Sequence, residues 1–272
     1  MKVLNTLNID TAFGAVSFVF VASYLRNVEV EFAIYCTLFI SVLFIYNLDH
    51  LVDAYRLKNK NSSARHAFYK THFSILVLWQ LLLLGAGSWL LLKLPMQVVF
   101  SGLLMTFFMG VYFLLIFKFS SKNYLLREVV VAIGYMLAIL IVPFADKSLP
   151  NDLFFYGFSL IVFLVALTNL WVFALYDIEL DENQDHHSIA RRISVVKLTK
   201  LATLLICTTL SLLIAYAFYV NWVVGALLII VELVYFLLLQ NQTYFKNNDL
   251  YRSVGESILI LPSLGLLIQY AI

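Results

Sequence analysis

Nine apolar runs of roughly 20 residues succeed one another along this chain, at about 8–25, 30–48, 73–93, 95–117, 127–145, 152–176, 198–219, 221–240 and 254–271. A helix of about 20 residues is what a ~30 Å hydrocarbon core demands. Inside that core each backbone N–H and C=O must find its partner within the protein, which leaves only helices and closed barrels as spanning structures. Barrel strands would alternate apolar and polar residues over stretches of about 10, and these runs do not alternate. The chain therefore reads as an all-α membrane protein, a nine-transmembrane-helix bundle. With 62% hydrophobic and 12% charged residues and a mean hydropathy of +0.92, it lacks the polar surface of a soluble globule. No linker or low-complexity tract divides it, so residues 1–272 read as one transmembrane domain.

The connections between runs are of two kinds. Short ones, at 26–29, 94–95, 146–151 and 220–221, are tight turns on one face of the bundle. Long polar ones, at 49–72, 118–126, 177–197 and 241–253, share the other face. They carry Arg56, Lys58, Lys60, Arg65, Lys70, Lys118, Lys122, Arg191, Arg192, Lys197, Lys246 and Arg252. By the positive-inside rule that face and the N-terminus with Lys2 are cytoplasmic, and the expected location is a bacterial cytoplasmic membrane. The first run lacks the charged n-region and small-residue cleavage site of a signal peptide and reads as the first transmembrane helix. Cys36 and Cys207 fall in different spans and read as small packing residues. A net charge of +2 implies no nucleic-acid partner.

Acidic residues in such a chain must be solvated, paired or bound to a cation. Two Asp-x-x-x-Asp pairs, Asp49/Asp53 and Asp177/Asp181, stand just beyond the second and sixth runs. If the helices continue past the membrane boundary, the spacing of four places the members of each pair on one helical face, with Asp185 in line behind Asp181. Like charges so placed repel by a few tenths of a kcal/mol, and more where water is scarce, unless a cation lies between them. Carboxylate oxygens are hard ligands suited to Mg²⁺, which binds through one or two carboxylates together with substrate phosphates. The bland alternative, solvated loop charges, accounts for either pair alone. It accounts less well for two pairs at matching points of the topology.

On these residues the chain resembles the UbiA superfamily of intramembrane prenyltransferases, which have nine helices and Asp-rich motifs after helices two and six. Tyr176-Asp177-Ile178-Glu179-Leu180-Asp181, with Asp185 and Ser188-Ile189-Ala190 following, is similar to the second family motif. Asn47-Leu48-Asp49-His50-Leu51-Val52-Asp53 keeps the last two acids of the first motif, while Tyr46 stands where its first Asp would be. Arg65 resembles the Arg that contacts diphosphate in the family, followed here by His66 instead of Pro, and Lys118 resembles a Lys of the loop after helix four. The resemblance implies a Mg²⁺-dependent prenyltransferase, which moves a prenyl group from an isoprenoid diphosphate to an aromatic or lipid acceptor within the membrane. Asp49, Asp53, Asp177 and Asp181 would hold the metal and act in catalysis. Asn47, Arg65, Lys118, Asn169 and Asp185 would bind substrate.

Other readings were weighed against the residues. Five histidines without repeated H-x-x-H-H boxes are too few for a di-iron oxygenase, and the glycines of a CDP-alcohol phosphotransferase motif are missing. A transporter would want helices broken near the midplane, and only Pro262 suggests a break. The stronger rival is a UbiA-like protein without catalytic activity that binds a lipid or partner protein, a reading motivated by the degraded first motif. Asn169, two turns before Asp177, either faces the site or bonds a neighbouring helix. Glu232, inside the eighth run, must face the bundle interior, where a structural hydrogen bond is its favoured role. Glu256, early in the ninth run, is open to the same two interpretations. His66 and His72 are read as solvated loop residues.

Overall fold

The computed structural model describes residues 2–56, 64–119, 124–145, 153–184 and 189–271, and every element among them is helical. In chain order these are α1 (Lys2–Thr6), α2 (Ile9–Arg26), α3 (Phe32–Arg56), α4 (Ala64–Thr71), α5 (Phe73–Leu91), α6 (Met96–Phe119), α7 (Tyr124–Ala145), α8 (Leu153–Gln184), α9 (Ile189–Arg192), α10 (Val195–Tyr219), α11 (Trp222–Gln240), α12 (Gln242–Lys246), α13 (Leu250–Ser257) and α14 (Leu261–Ala271). The nine apolar runs correspond to α2, α3, α5, α6, α7, α8, α10, α11 and the α13–α14 pair. Among the described residues seven spans are long and apolar enough to cross a membrane, and α6 and α7 add the shorter apolar stretches Met96–Phe108 and Glu128–Ile141.

Helix α2 organises the packing. It touches α3, α7, α8, α13 and α14, while α7, α8, α10, α11 and α14 follow one another round the bundle back to it. Its buried face is made of small residues, Ala12, Gly14, Ala15, Ser17, Ala22 and Ser23 among them. Small side chains let helix backbones approach where lipid gives helices no hydrophobic reason to associate. On the outside, Leu78, Leu81, Leu92, Phe100, Leu103 and Phe107 of the α5–α6 region stand exposed, as lipid-facing residues do. Cys36 is half-buried and Cys207 is exposed, so the second cysteine is a surface residue and not a packing one.

Three local features differ from the sequence reading. First, α3 and α8 run on to Arg56 and Gln184, beyond the expected ends at 48 and 176. At 1.5 Å per residue the 32 residues of α8 span roughly 48 Å, well over the hydrocarbon thickness. The Asp pairs thus lie on projecting helix ends and not in loops. Second, the polar connections at 49–72 and 241–253 contain α4, α12 and the start of α13, and the N-terminal segment forms α1. Third, the last helix is interrupted by a tighter turn at Ile258–Ile260, just before Pro262. Proline supplies no N–H and cannot continue the ladder. The Ser17 hydroxyl of α2 donates to the Ile260 carbonyl at 3.3 Å and accepts from the Ser263 N–H at 3.1 Å, so the groups freed by the break are satisfied from a neighbouring helix.

The α10–α11 hairpin is closed by Val220 and Asn221, whose side chain accepts from the Val224 N–H at 3.0 Å and caps α11. There Gly225 faces Ala217 so closely that an added Cβ would lie 2.5 Å from the alanine Cβ and 2.6 Å from its Cα. Backbone cannot yield as a side chain tip can. Gly225→Ala is expected to force the two helices apart at a cost of about 1–3 kcal/mol, visible as a lower melting temperature in detergent, whereas Gly102→Ala, with open space around it, should leave melting unchanged.

Candidate functional site

The site lies where α3 and α8 project, and it is built from the polar residues that the apolar bundle concentrates there. Asp49 is exposed on α3, with Asp53 one turn further along the same helix. Asp177 occupies the equivalent stretch of α8, one turn before Asp181. The side chains of Asp53, Lys118 and Asp181, and the whole of Asp185, His186 and His187, lie outside the described residues.

Asp177 is held on both oxygens. Oδ1 accepts from the Tyr251 hydroxyl at 2.5 Å and Oδ2 from Arg252 Nη2 at 2.5 Å. Arg252 Nε in turn donates to the Tyr251 hydroxyl at 2.8 Å. The Tyr251 ring is fixed by a parallel stack on Tyr176, with centroids 4.2 Å apart and planes 3° from coplanar, and by the edge of Phe173. Tyr176 is anchored by donating to the Leu238 carbonyl at 2.6 Å. The residue preceding the acid thereby positions its partner. Lys246 also meets Glu179 at 2.8 Å, but both side chains are largely exposed, and such a pair contributes little.

Arg65, on α4, is gathered in by the N-terminal segment. Its Nη2 donates to the carbonyl and to Oδ1 of Asn5, both at 2.9 Å, and its Nη1 reaches Asn8 Oδ1 at 3.4 Å and lies 3.1 Å from His50 Nε2. The Asn5 amide donates onward to Asp10 Oδ2 at 2.9 Å and Glu256 Oε2 at 3.1 Å, and Thr11 donates to the same Glu256 oxygen at 2.7 Å. Asn8 sits at φ 58°, φ ψ values that asparagine tolerates better than most residues. Burial, and next the charge of Arg252, lower the pKa of Arg65, with Glu256 acting the other way.

These contacts join the two Asp-bearing helix ends. His50, beside Asp49, meets Arg65; Arg65 meets Asn5; Asn5 meets Glu256; and Glu256 lies one turn along the last helix from Arg252, which holds Asp177. The Tyr46 phenol lies within electrostatic reach of both Asp49 and Glu256.

Some expected site residues serve the scaffold. Asn47 is fully buried; its amide donates to the carbonyls of Leu7 at 3.0 Å and Leu43 at 2.7 Å, and its Oδ1 accepts from Tyr69. Its polar atoms join the N-terminal segment to α3 and α4. Burial also pushes the Tyr69 phenol pKa up. Asn169 donates to the Tyr235 hydroxyl at 2.9 Å, and Tyr235 donates to the Gly255 carbonyl at 2.8 Å. That is the interhelical bond, the second of its two readings. Glu232 is fully buried as expected, but neither carboxyl oxygen meets a bonding partner among the described residues. Thr168 comes close to it without bonding geometry. Within the 189–192 segment Ile189 and Ala190 are buried, and the Ile189 N–H donates to Glu128 Oε1 at 3.3 Å. His72 is exposed at the start of α5.

Asn5, Asn8, Asp10, Thr11 and Tyr251 were not singled out in the sequence. Their signal was available in the crowding of four polar residues at the entry of the first span, and in Tyr251-Arg252 standing one turn before Glu256.

The architecture has a solved counterpart. A structure of digeranylgeranylglyceryl phosphate synthase in membranes superposes with a TM-score of 0.56, covering 97% of this chain and 96% of that one at 14% identity. The two chains share one fold over nearly their whole lengths. At this identity the likeness concerns the fold alone, and it agrees with the apolar helices in making the chain an integral, multi-pass membrane protein. No protein-family model matches the sequence, and no curated protein matches it.

Asn5 is the joint of the network. Asn5→Ala is expected to destabilise the protein by about 1–3 kcal/mol, the cost of leaving buried polar groups short of partners, and to speed amide hydrogen exchange in α1 while leaving that of α10 and α11 unchanged.

Proposed function

We propose that this protein is a Mg²⁺-dependent prenyltransferase that moves a prenyl group from an isoprenoid diphosphate to an aromatic or lipid acceptor within the membrane. The observation that supports the reading is the run of polar contacts from His50, beside Asp49, through Arg65 and Asn5 to Glu256, one turn from the Arg252 that holds Asp177, in a bundle that shares its fold with digeranylgeranylglyceryl phosphate synthase. The clustering of Lys and Arg on the same face supports a cytoplasmic side for this site.

Carboxylate is the donor type that Mg²⁺ takes, and although among the described residues no three acids or histidines converge on one point, Asp49 and Asp177 stand on the two helix ends that carry the Asp pairs. A carboxylate offers about four lone-pair sites, so the two hydrogen bonds on Asp177 leave capacity, and ligating carboxylates are ordinarily held by such bonds. Asp49, Asp53, Asp177 and Asp181 would hold Mg²⁺, which when bound neutralises negative charge developing on the leaving diphosphate.

The chain's own part is orientation and exclusion of water. Arg65, fixed by Asn5, Asn8 and His50, presents a guanidinium to the diphosphate without needing to reorganise, the condition under which electrostatic stabilisation is most effective; Lys118 and Asp185 would add to the contacts with the headgroup. The allylic C–O bond breaks with its electron pair leaving on the diphosphate, a bond forms from the prenyl carbon to the acceptor, and the acceptor's displaced proton passes to solvent. The apolar bundle interior keeps water from the electron-poor prenyl carbon.

Binding of radiolabelled geranylgeranyl diphosphate to the purified protein in detergent tests the reading. Wild type is expected to bind with Mg²⁺ and not with EDTA; Asp177→Ala and Asp181→Ala are expected to lose turnover by roughly 10²-fold or more, Asp181→Ala with unchanged melting and Asp177→Ala with a lower melting temperature, since it leaves the Arg252 guanidinium without its carboxylate. No binding of prenyl diphosphates of any length would favour the non-catalytic scaffold.

A further inference from the structure

We propose that Arg252, aimed by Asp177 and Tyr251, is a second diphosphate-binding guanidinium, which grips the substrate headgroup together with Arg65. The inference rests on the prenyl diphosphate reading and adds to it a residue from the last helix, outside both Asp-bearing motifs.

Arg252 is built in. Its side chain is 19% exposed, and its orientation is set by two bonds, Nη2 to Asp177 and Nε to the Tyr251 hydroxyl, the latter carried on a ring that is stacked on one side and edged on another. A guanidinium offers five donors in a planar fork. Among the described residues Nη1 donates to none, so one arm of the fork remains for an anion while the other is clamped. An arginine so fixed loses little freedom on binding, which suits the bidentate recognition of phosphate oxygens.

Arg65 makes the complementary observation. It is a partly buried cation whose hydrogen-bond partners, the Asn5 carbonyl and amide oxygens, Asn8 and His50, are neutral groups, and the carboxylate that acts on it, Glu256, is reached through Asn5. Buried charges ordinarily find an opposite charge. Next to it the Asn8 amide nitrogen is buried and has no acceptor among the described residues. The two guanidiniums are near enough to feel each other, a repulsion that Asp177 and Glu256 offset in part and that an anion between them would offset further. The carboxylates close by have their own donors: Asp177 has Arg252 and Tyr251, and Glu256 has Asn5 and Thr11. Two donors, the Asn8 amide and the Nη1 arm of Arg252, thus have no acceptor among the described residues, and a diphosphate supplies acceptor oxygens in number.

The test compares affinities for geranylgeranyl diphosphate and for geranylgeraniol, with Mg²⁺ in detergent, in wild type, Arg252→Gln and Asp181→Ala. Loss of a charge-assisted hydrogen bond is expected to weaken diphosphate binding by roughly tenfold or more in Arg252→Gln and to leave binding of the alcohol unchanged. Inorganic diphosphate should displace the labelled substrate from wild type, and do so less well from the variant. Diphosphate affinity equal to wild type in Arg252→Gln, alongside a loss in Asp181→Ala, overturns the role of Arg252 and leaves the prenyltransferase reading standing. An equal loss for diphosphate and alcohol marks a structural residue and also overturns it. Phosphatidic acid vesicles competing as strongly as inorganic diphosphate would assign the pair to an anionic lipid headgroup, again against the proposal. If wild type binds no prenyl diphosphate, both readings fall together. Should Arg252→Gln not fold, Arg252→Lys, which keeps the charge and loses the fork, decides: a three- to tenfold weakening for diphosphate alone is expected, and none overturns the assignment.

Discussion

An unpaired polar group in hydrocarbon costs several kcal/mol, and the structure follows from that cost. It makes each span a helix, and it makes each polar side chain within the spans either find a partner on a neighbouring helix or move to an end. Ser17 repairs the break before Pro262, and Asn169 bonds Tyr235, which bonds the Gly255 carbonyl. Glu232 is an exception, a buried carboxyl with neither oxygen bonded to a described residue, and the Tyr135 hydroxyl, Thr168 Oγ1 and Trp171 Nε1 are others.

The same cost explains why the site is a network. At the end of the bundle where α3 and α8 project, charges are close to water but still screened from much of it, so they are arranged in chains of mutual satisfaction. The N-terminal segment is drawn into this arrangement. Asn5 serves an arginine and two acids at once, and Asn47 holds the same segment from beneath. The result is a mouth whose two Asp-bearing helices, adjacent to neither each other in sequence nor in chain order, are coupled through α1, α4 and α13. A site for a highly charged diphosphate needs such pre-arranged charge, because side chains that must reorganise during bond breaking stabilise it less.

The all-helical fold class and the positions of the apolar helices were legible from hydropathy alone, though the short helices α1, α4, α9 and α12 were not, and the Asp pairs stood out because charge is so scarce in this chain. The ends of α3 and α8 were misplaced because hydropathy reports where lipid stops and not where the helix stops. Asp49 and Asp53 in fact continue the helical ladder of α3 into water. Asn47 was assigned to substrate through its place in a motif, whereas its complete burial reflects tertiary packing against Leu7 and Tyr69. Tyr251 and Arg252 were invisible as site residues because their partner, Asp177, lies 74 and 75 positions away.

What the sequence by itself determined is what depends on local chemistry: where the chain can enter lipid, which residues are too costly to leave there, and therefore which end of the bundle holds the charges. Which charges meet was decided only by the tertiary structure. Pairing depends on how helices distant in the chain are brought together, and that is set by close contacts, such as those of the small residues of α2, that no local pattern records.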